Sequence, residues 1–121
     1  MEALTGPLTL LFVALAGGLG SVIRLFVSKF EGKLPWGILI ANVVASFVVG
    51  FAQQSPSFLV GIIVASGLAG GLSTFSTYAA QTTNLIRRGR IAQALFNTLA
   101  TLALSSTAVW LGQLAGAALL K

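Results

Sequence analysis

The sequence predicts an all-α membrane protein of four transmembrane helices, the third of them broken near its middle. Of its 121 residues, 56% are hydrophobic and only 7% are charged, whereas a soluble domain carries about 25% charged residues. The apolar residues form four runs, each near or above the roughly 20 residues that cross the hydrocarbon of a bilayer. A glycine pair followed by hydroxyl side chains interrupts the third run. The length suits one domain, residues 1–121.

The spans are expected at residues 7–27, 35–52, 56–86 and 91–120. Pro7, Pro35 and Pro56 each stand near the start of a run, where the missing N–H of proline does little harm to a helix. Because the loops between the runs are short, neighbouring helices should be antiparallel.

The third run contains Gly70 and Gly71, followed by Ser73 and Thr74. Each glycine weakens a helix by about 1 kcal/mol relative to alanine. We therefore expect the glycine pair to unwind the helix over residues 70–74. Non-helical backbone inside a bilayer is tolerated only where protein buries it or water reaches it. Broken membrane helices commonly direct their carbonyl groups and helix ends at ions.

The net charge of +5 does not indicate nucleic-acid binding, because the basic residues lie in short loops between apolar runs. The loops on one side of the membrane hold Lys29, Lys33, Arg87, Arg88 and Arg90. Arg24 lies close to that side, and the other side has only Lys121. The excess of positive charge on cytoplasmic loops places both termini outside.

Several kinds of chemistry are excluded by composition. The chain has neither cysteine nor histidine, and its two acidic residues, Glu2 and Glu31, lie in terminal or loop positions. Proton-coupled or cation-coupled exporters usually place a carboxylate inside the bilayer. Because no nucleophile–base pair is visible either, we expect a protein that is not an enzyme.

Polar residues inside the spans have two interpretations each. Asn42 would either bond to a neighbouring helix or offer an N–H donor to an anion. Asn97, Thr101 and Ser105 stand four residues apart on span four, so they share a helix face that lines either a partner helix or a water path. Arg24 would either reach to the interface or collect anions at a vestibule.

Two aromatic residues, Phe75 and Tyr78, follow the glycine pair. Such rings usually serve packing, but their edges carry positive partial charge. A lining of ring edges, hydroxyls and amides is neutral, which suits an ion that must bind and then leave.

Small residues recur at helix-contact spacing, as at Gly67 and Gly71 and at Gly112 and Gly116. This spacing allows close helix approach, either within one subunit or between two subunits.

With these motifs in order along nearly the whole chain, it closely resembles the Fluc fluoride channels, also called the CrcB family. The matching features are residues 17–20 followed by Arg24, Gly37 with Asn42, Ser46 and Gly50, and residues 67–78. The pattern Gly-Gly-x-Ser/Thr-Thr-Phe-Ser-Thr-aromatic in a broken third span is highly specific.

The resemblance implies an antiparallel dimer with two narrow fluoride pathways in a bacterial plasma membrane. It implies that Asn42 lies at the pore and orients the aromatic side chains. Phe75 and Tyr78 would then present ring edges to fluoride, with Ser76 and Thr77 in the same segment.

The resemblance also assigns roles outside that segment. It implies that Asn97, Thr101 and Ser105 form a polar track, and that Arg24 lies near the vestibule. Backbone carbonyls of Gly70 and Ser73 from both subunits would hold one structural sodium ion, which is not transported.

The function implied is passive export of fluoride, which lowers its toxicity in the cytoplasm. Tyr78 departs from the second phenylalanine of many members, which leaves aromatic coordination there open. The charge bias resembles that of members built from two different, oppositely oriented subunits, and we hypothesise that this chain is one half of such a heterodimer. The alternatives are a non-conducting structural subunit of a heterodimeric channel, or a small multidrug exporter, which the missing membrane carboxylate disfavours.

Overall fold

The computed structural model describes residues 2–29 and 35–120, with residues 2–5 described by their backbone alone. Within this part of the chain all regular structure is helical. The third helix, α3, spans residues 58–72 and contains a π-helical stretch, Ile63–Ala69. The other helices are α1 (Glu2–Val27), α2 (Trp36–Ala52), α4 (Phe75–Arg87) and α5 (Ile91–Leu119).

Three of the four predicted spans correspond to helices of membrane-crossing length in the described part of the chain, and the second span is a shorter apolar helix. Gly6–Val27, Phe58–Arg87 taken through its break, and Ile91–Leu119 are long and apolar enough to cross a membrane. α2 has 17 residues, about 25 Å of helix. Pro7 lies inside α1, which begins five residues before the expected start. Lys33 and Lys121 of the charge argument, and Glu31 of the argument on acidic residues, lie outside the described residues.

The break in the third span lies at Ser73 and Thr74, both of which have extended backbone (φ −80°, ψ 155° and φ −155°, ψ 123°). The expectation that the glycine pair unwinds the helix is wrong, because Gly70–Leu72 is helical. Gly71 instead provides space. A side chain there would overlap the carbonyl oxygen of Gly17 on α1.

Close backbone contacts at glycine hold the helices together within one subunit. A Cβ on Gly67 would lie 2.8 Å from the Ala16 Cβ of α1. A Cβ on Gly112 or Gly116 would meet the α2 backbone at Phe47 and Phe51. The small residues therefore serve α1–α3 and α2–α5 packing inside the subunit.

The most deeply buried apolar side chains between the helices are small, while many of the large apolar side chains are exposed. Ala41, Ala45 and Ala69 are each 1% exposed, and they cluster with Leu72. By contrast, Leu10 is 71% exposed. This arrangement is expected in a bilayer, where close packing of small residues holds helices together and lipid solvates the outer surface.

Candidate functional site

The Asn42 side chain of α2 holds the broken segment in place. Its Oδ1 accepts a hydrogen bond from the Thr74 N–H at 2.7 Å, and its Nδ2 donates to the Thr74 carbonyl at 3.1 Å. The amide thus satisfies both backbone groups of a residue that has left the helix. Since unpaired backbone groups are costly in a membrane, Asn42 stabilises the break itself.

Thr74 also starts α4. Its Oγ1 accepts from the Thr77 N–H at 3.1 Å, which is the bond of an N-cap residue, and donates to Thr77 Oγ1 at 3.2 Å. Phe75 therefore occupies the first position of α4, and Tyr78 follows one turn later. Their ring centroids lie 5.6 Å apart at a tilt of 49°. Asn42 and Thr74 together fix where this aromatic pair begins.

A groove of about 480 Å³ opens beside the aromatic pair. It is bounded by α2, the broken segment, α4 and α5. None of its described lining residues is charged, and most carry a hydroxyl or an amide. They are Asn42, Ser46, Ser73, Thr74, Phe75, Tyr78, Thr98, Thr101, Leu102, Ser105 and Ser106.

Two hydroxyls in this groove have no hydrogen-bond partner. Thr101 Oγ1 and Ser105 Oγ are buried, and neither bonds to another group of the protein. A buried hydroxyl without a partner is unfavourable by roughly 1–3 kcal/mol. Thr101 and Ser105 both line the groove, so each places a hydroxyl with an unused proton in its wall.

The stripe expected on span four divides between two places. Thr101 and Ser105 line the groove, but Asn97 is only 3% exposed and donates from Nδ2 to Thr82 Oγ1 of α4 at 3.0 Å. Asn97 thus joins α5 to α4 and does not line the groove. Thr98 lies there instead. At 3.6 residues per turn, Thr98 is about 20° from Ser105 around the helix, whereas Asn97 is about 80° away.

Tyr78 connects the aromatic pair to α5. Its hydroxyl donates to Thr98 Oγ1 at 2.9 Å, and Thr98 Oγ1 donates to the Ala94 carbonyl at 3.0 Å. The sequence reasoning did not single out Thr98. The signal that would have found it is the spacing of Thr98, Thr101 and Ser105, which follows a helix face more closely than a repeat of four.

The remaining predicted residues surround the groove without lining it. Arg24 of α1 is half-buried, and its Nη1 donates to the Ser73 carbonyl at a long 3.4 Å. Ser76 is exposed on α4, and Thr77 takes part in the helix cap. Gly70 is exposed on the subunit surface.

Comparison with known proteins identifies the family. The family model described as CrcB-like protein, Camphor Resistance (CrcB), matches residues 11–113, which span most of the four apolar runs. The chain belongs to the CrcB family.

Relatives in the CrcB family are similar over nearly their whole length. A protein of Opitutus terrae named fluoride-specific ion channel FluC is 39% identical over 122 residues, covering 90% of this chain and 92% of the relative. Proteins with the same name from Shewanella sediminis and Clostridium novyi are 39% and 33% identical, covering 86% and 88% of this chain and 92% and 91% of the relatives. The family is one of ion channels and not of enzymes.

Proposed function

We propose that this chain forms a fluoride-specific channel that lets fluoride leave the cytoplasm passively. The observation that carries the proposal is the uncharged groove in which the unpartnered hydroxyls of Thr101 and Ser105 follow the aromatic pair. Hydroxyl protons and ring edges can each face a small anion. Without a fixed positive charge among the lining residues, the anion can bind and then leave.

In the proposed pathway the residues act in sequence. Arg24 raises the local concentration of anions near the break, while Asn42 holds Thr74 and so fixes Phe75 and Tyr78. The ring edges replace part of the fluoride hydration shell, and the hydroxyls of Thr101 and Ser105 continue the replacement along α5. Outward movement needs no energy source, because a negative-inside potential favours anion exit by about 2.3 kcal/mol per charge for each 100 mV.

A structural sodium ion at the centre of an antiparallel dimer belongs to the same proposal. The Thr74 N–H, which would bond to the Gly70 carbonyl in a continuous helix, is directed at Asn42 instead. The Gly70 carbonyl therefore lacks its usual helical donor, and Gly70 is exposed on the subunit surface. A carbonyl oxygen in this position is a suitable ligand for a hard cation. The carbonyls of Gly70 and Ser73 from two subunits would hold the ion, with the Ser73 carbonyl using the lone pair that its long bond to Arg24 leaves free. The ion would join the subunits by charge–dipole attraction.

The test compares two phenylalanines that are equally exposed. Phe75 and Phe58 are both 79% exposed, but only Phe75 lines the groove with Asn42. We expect Phe75→Leu to reduce fluoride efflux at least about tenfold, equivalent to 1.4 kcal/mol of barrier, because leucine has no ring edge. Phe58→Leu should conduct at the parental rate. Efflux is measured with a fluoride electrode on proteoliposomes of the assembled protein.

The variants also separate a channel from the alternative of a structural subunit without a conducting groove. If Phe75→Leu retains parental efflux while the parent conducts, the groove of this chain is not the pathway, and a structural role is favoured. If the assembled parent shows no fluoride efflux, the proposed function is wrong.

A further inference from the structure

The direction of the hydrogen bonds at Tyr78 follows from proton counting. A carbonyl oxygen only accepts hydrogen bonds, so the single hydroxyl proton of Thr98 is used by the Ala94 carbonyl at 3.0 Å. Thr98 Oγ1 can then only accept from the Tyr78 hydroxyl at 2.9 Å. The chain of donors therefore runs from Tyr78 to Thr98 to Ala94.

This direction leaves Thr98 without a proton for an ion in the groove, although Thr98 lines it. The free hydroxyls further along α5 are those of Thr101 and Ser105. On the other side, Phe75 offers only ring hydrogens. Tyr78 stands between these two kinds of donor, and its own O–H proton is engaged in a neutral bond.

We propose that the Tyr78 hydroxyl is an exchangeable donor, which leaves Thr98 and donates to fluoride as the ion passes from the aromatic pair to the hydroxyls of α5. The inference rests on the proposed function and adds a specific role for the phenol. A phenylalanine at this position could not perform this step. Thr98 would be a positioning residue that holds the phenol between ions.

The exchange is favoured by the charge of the ion. A hydrogen bond to an anion is roughly twice as strong as one between neutral groups. Rotation about the phenol C–O bond redirects the proton and leaves the ring in place. Thr98 loses one accepted bond but keeps its donation to Ala94, so the exchange strands no buried proton.

The competing interpretation is that the Tyr78–Thr98 bond only tethers the ring. The two interpretations differ for Thr98→Val, which keeps the shape of the side chain and removes the acceptor. A tether is lost equally in Thr98→Val and in Tyr78→Phe. An exchangeable donor is lost only in Tyr78→Phe, because Thr98→Val leaves the phenol proton free for the ion.

The chain contains a single tyrosine, so ¹³C labelling at tyrosine Cζ gives one NMR signal that reports on this hydroxyl. In the assembled protein in lipid nanodiscs, we expect the signal to shift and saturate with sodium fluoride and to stay unmoved with sodium chloride. In Thr98→Val we expect the fluoride-free signal to shift from its parental position and the fluoride response to remain.

The second measurement is fluoride affinity. Variants that keep the tyrosine are followed by the same ¹³C titrations, and Tyr78→Phe, which has no tyrosine, is followed by ¹⁹F NMR. We expect Tyr78→Phe to weaken binding about tenfold, which corresponds to 1.4 kcal/mol. We expect Thr98→Val to tighten binding, because fluoride no longer has to displace the bond between Tyr78 and Thr98. Thr107→Val is the matched control, because the Thr107 hydroxyl is exposed and bonds only to Ala103 of its own helix.

Two results would overturn the inference while the proposed function stands. One is fluoride flux by the parent with a tyrosine signal that fluoride does not move. The other is an equal loss of affinity in Tyr78→Phe and Thr98→Val. If the parent neither binds nor conducts fluoride, the proposed function fails and the inference fails with it.

Discussion

Asn42 and Thr101 represent opposite uses of a polar side chain in this subunit. Asn42 donates one hydrogen bond to Thr74 and accepts one from it, so these two bonds stabilise the break and, through it, the position of the aromatic pair. Thr101 Oγ1 bonds to nothing in the protein. A buried polar group without a partner requires an explanation, and one such explanation is an ion or water that bonds to it.

This contrast gives a prediction at Thr101 and Ser105. Removing a hydroxyl that has no partner relieves a desolvation cost, so Thr101→Val and Ser105→Ala should unfold at the parental temperature or higher. Fluoride efflux should fall about tenfold in each, because an ion in the groove loses one donor. Thermal unfolding and efflux are measured on the same preparations.

Thr107→Val again serves as the control, with efflux expected at the parental rate. A loss of stability without a loss of efflux at Thr101 would mean that its hydroxyl supports the fold and not the pathway.

At the scale of the helices, some glycines lie against the backbone of a neighbouring helix and others have open space beside them. A Cβ on Gly71 would overlap the Gly17 carbonyl, whereas a Cβ on Gly18 would meet nothing within 4 Å. Both glycines are helical, so alanine improves helix propensity equally at the two positions. The difference between the two variants isolates the contact between α1 and α3.

We expect Gly71→Ala to destabilise the protein by about 1–3 kcal/mol, the usual cost of overpacking. Gly18→Ala should be neutral or up to about 1 kcal/mol more stable. Chemical denaturation in mixed micelles measures both. Equal stabilities would show that α1 can move away from α3 without cost, and that Gly71 is not a packing residue.

Sequence patterns predicted the helices and five of the residues that line the groove, which are Asn42, Phe75, Tyr78, Thr101 and Ser105. The predictions failed where one sequence feature has two structural explanations. Glycine permits both unwinding and close approach, and nothing local to Gly71 reveals that α1 lies against it. The break depends on Asn42, which is 32 residues away from Thr74. A contact between residues so far apart in the sequence produces no periodic pattern from which it could be predicted.

The same limit explains the groove on α5. The sequence shows a polar stripe on this helix, but positions four residues apart drift around the helix axis. The four-residue spacing therefore predicted Asn97 as a lining residue in place of Thr98. The contacts with α4 determine the role of each residue, because Asn97 donates a hydrogen bond to Thr82 and Thr98 accepts one from Tyr78.

At the scale of the whole molecule, the distribution of charge leads to a prediction about orientation. Arg87, Arg88 and Arg90 stand at the turn between α4 and α5, whereas the turn between α2 and α3 has no basic residue. Positive loops remain in the cytoplasm. A chain with this bias should insert in a single orientation, with both termini outside, and an antiparallel dimer then requires a second, oppositely biased chain.

Because the protein lacks cysteine, single introduced cysteines report orientation directly. Gln53 and Asn84 are exposed near opposite ends of the helices. In intact cells, a membrane-impermeant maleimide should label Gln53→Cys and leave Asn84→Cys unlabelled until the membrane is permeabilised.

In native membrane vesicles, where the orientation set by insertion is kept, the chain expressed alone should show little fluoride efflux. Changing Arg87, Arg88 and Arg90 to glutamine reduces the bias from five basic residues against one to two against one. The smaller bias should allow more insertion both ways and raise efflux by the lone chain. Equal labelling of both cysteines in the parent, together with robust efflux, would show that the chain pairs with oppositely inserted copies of itself.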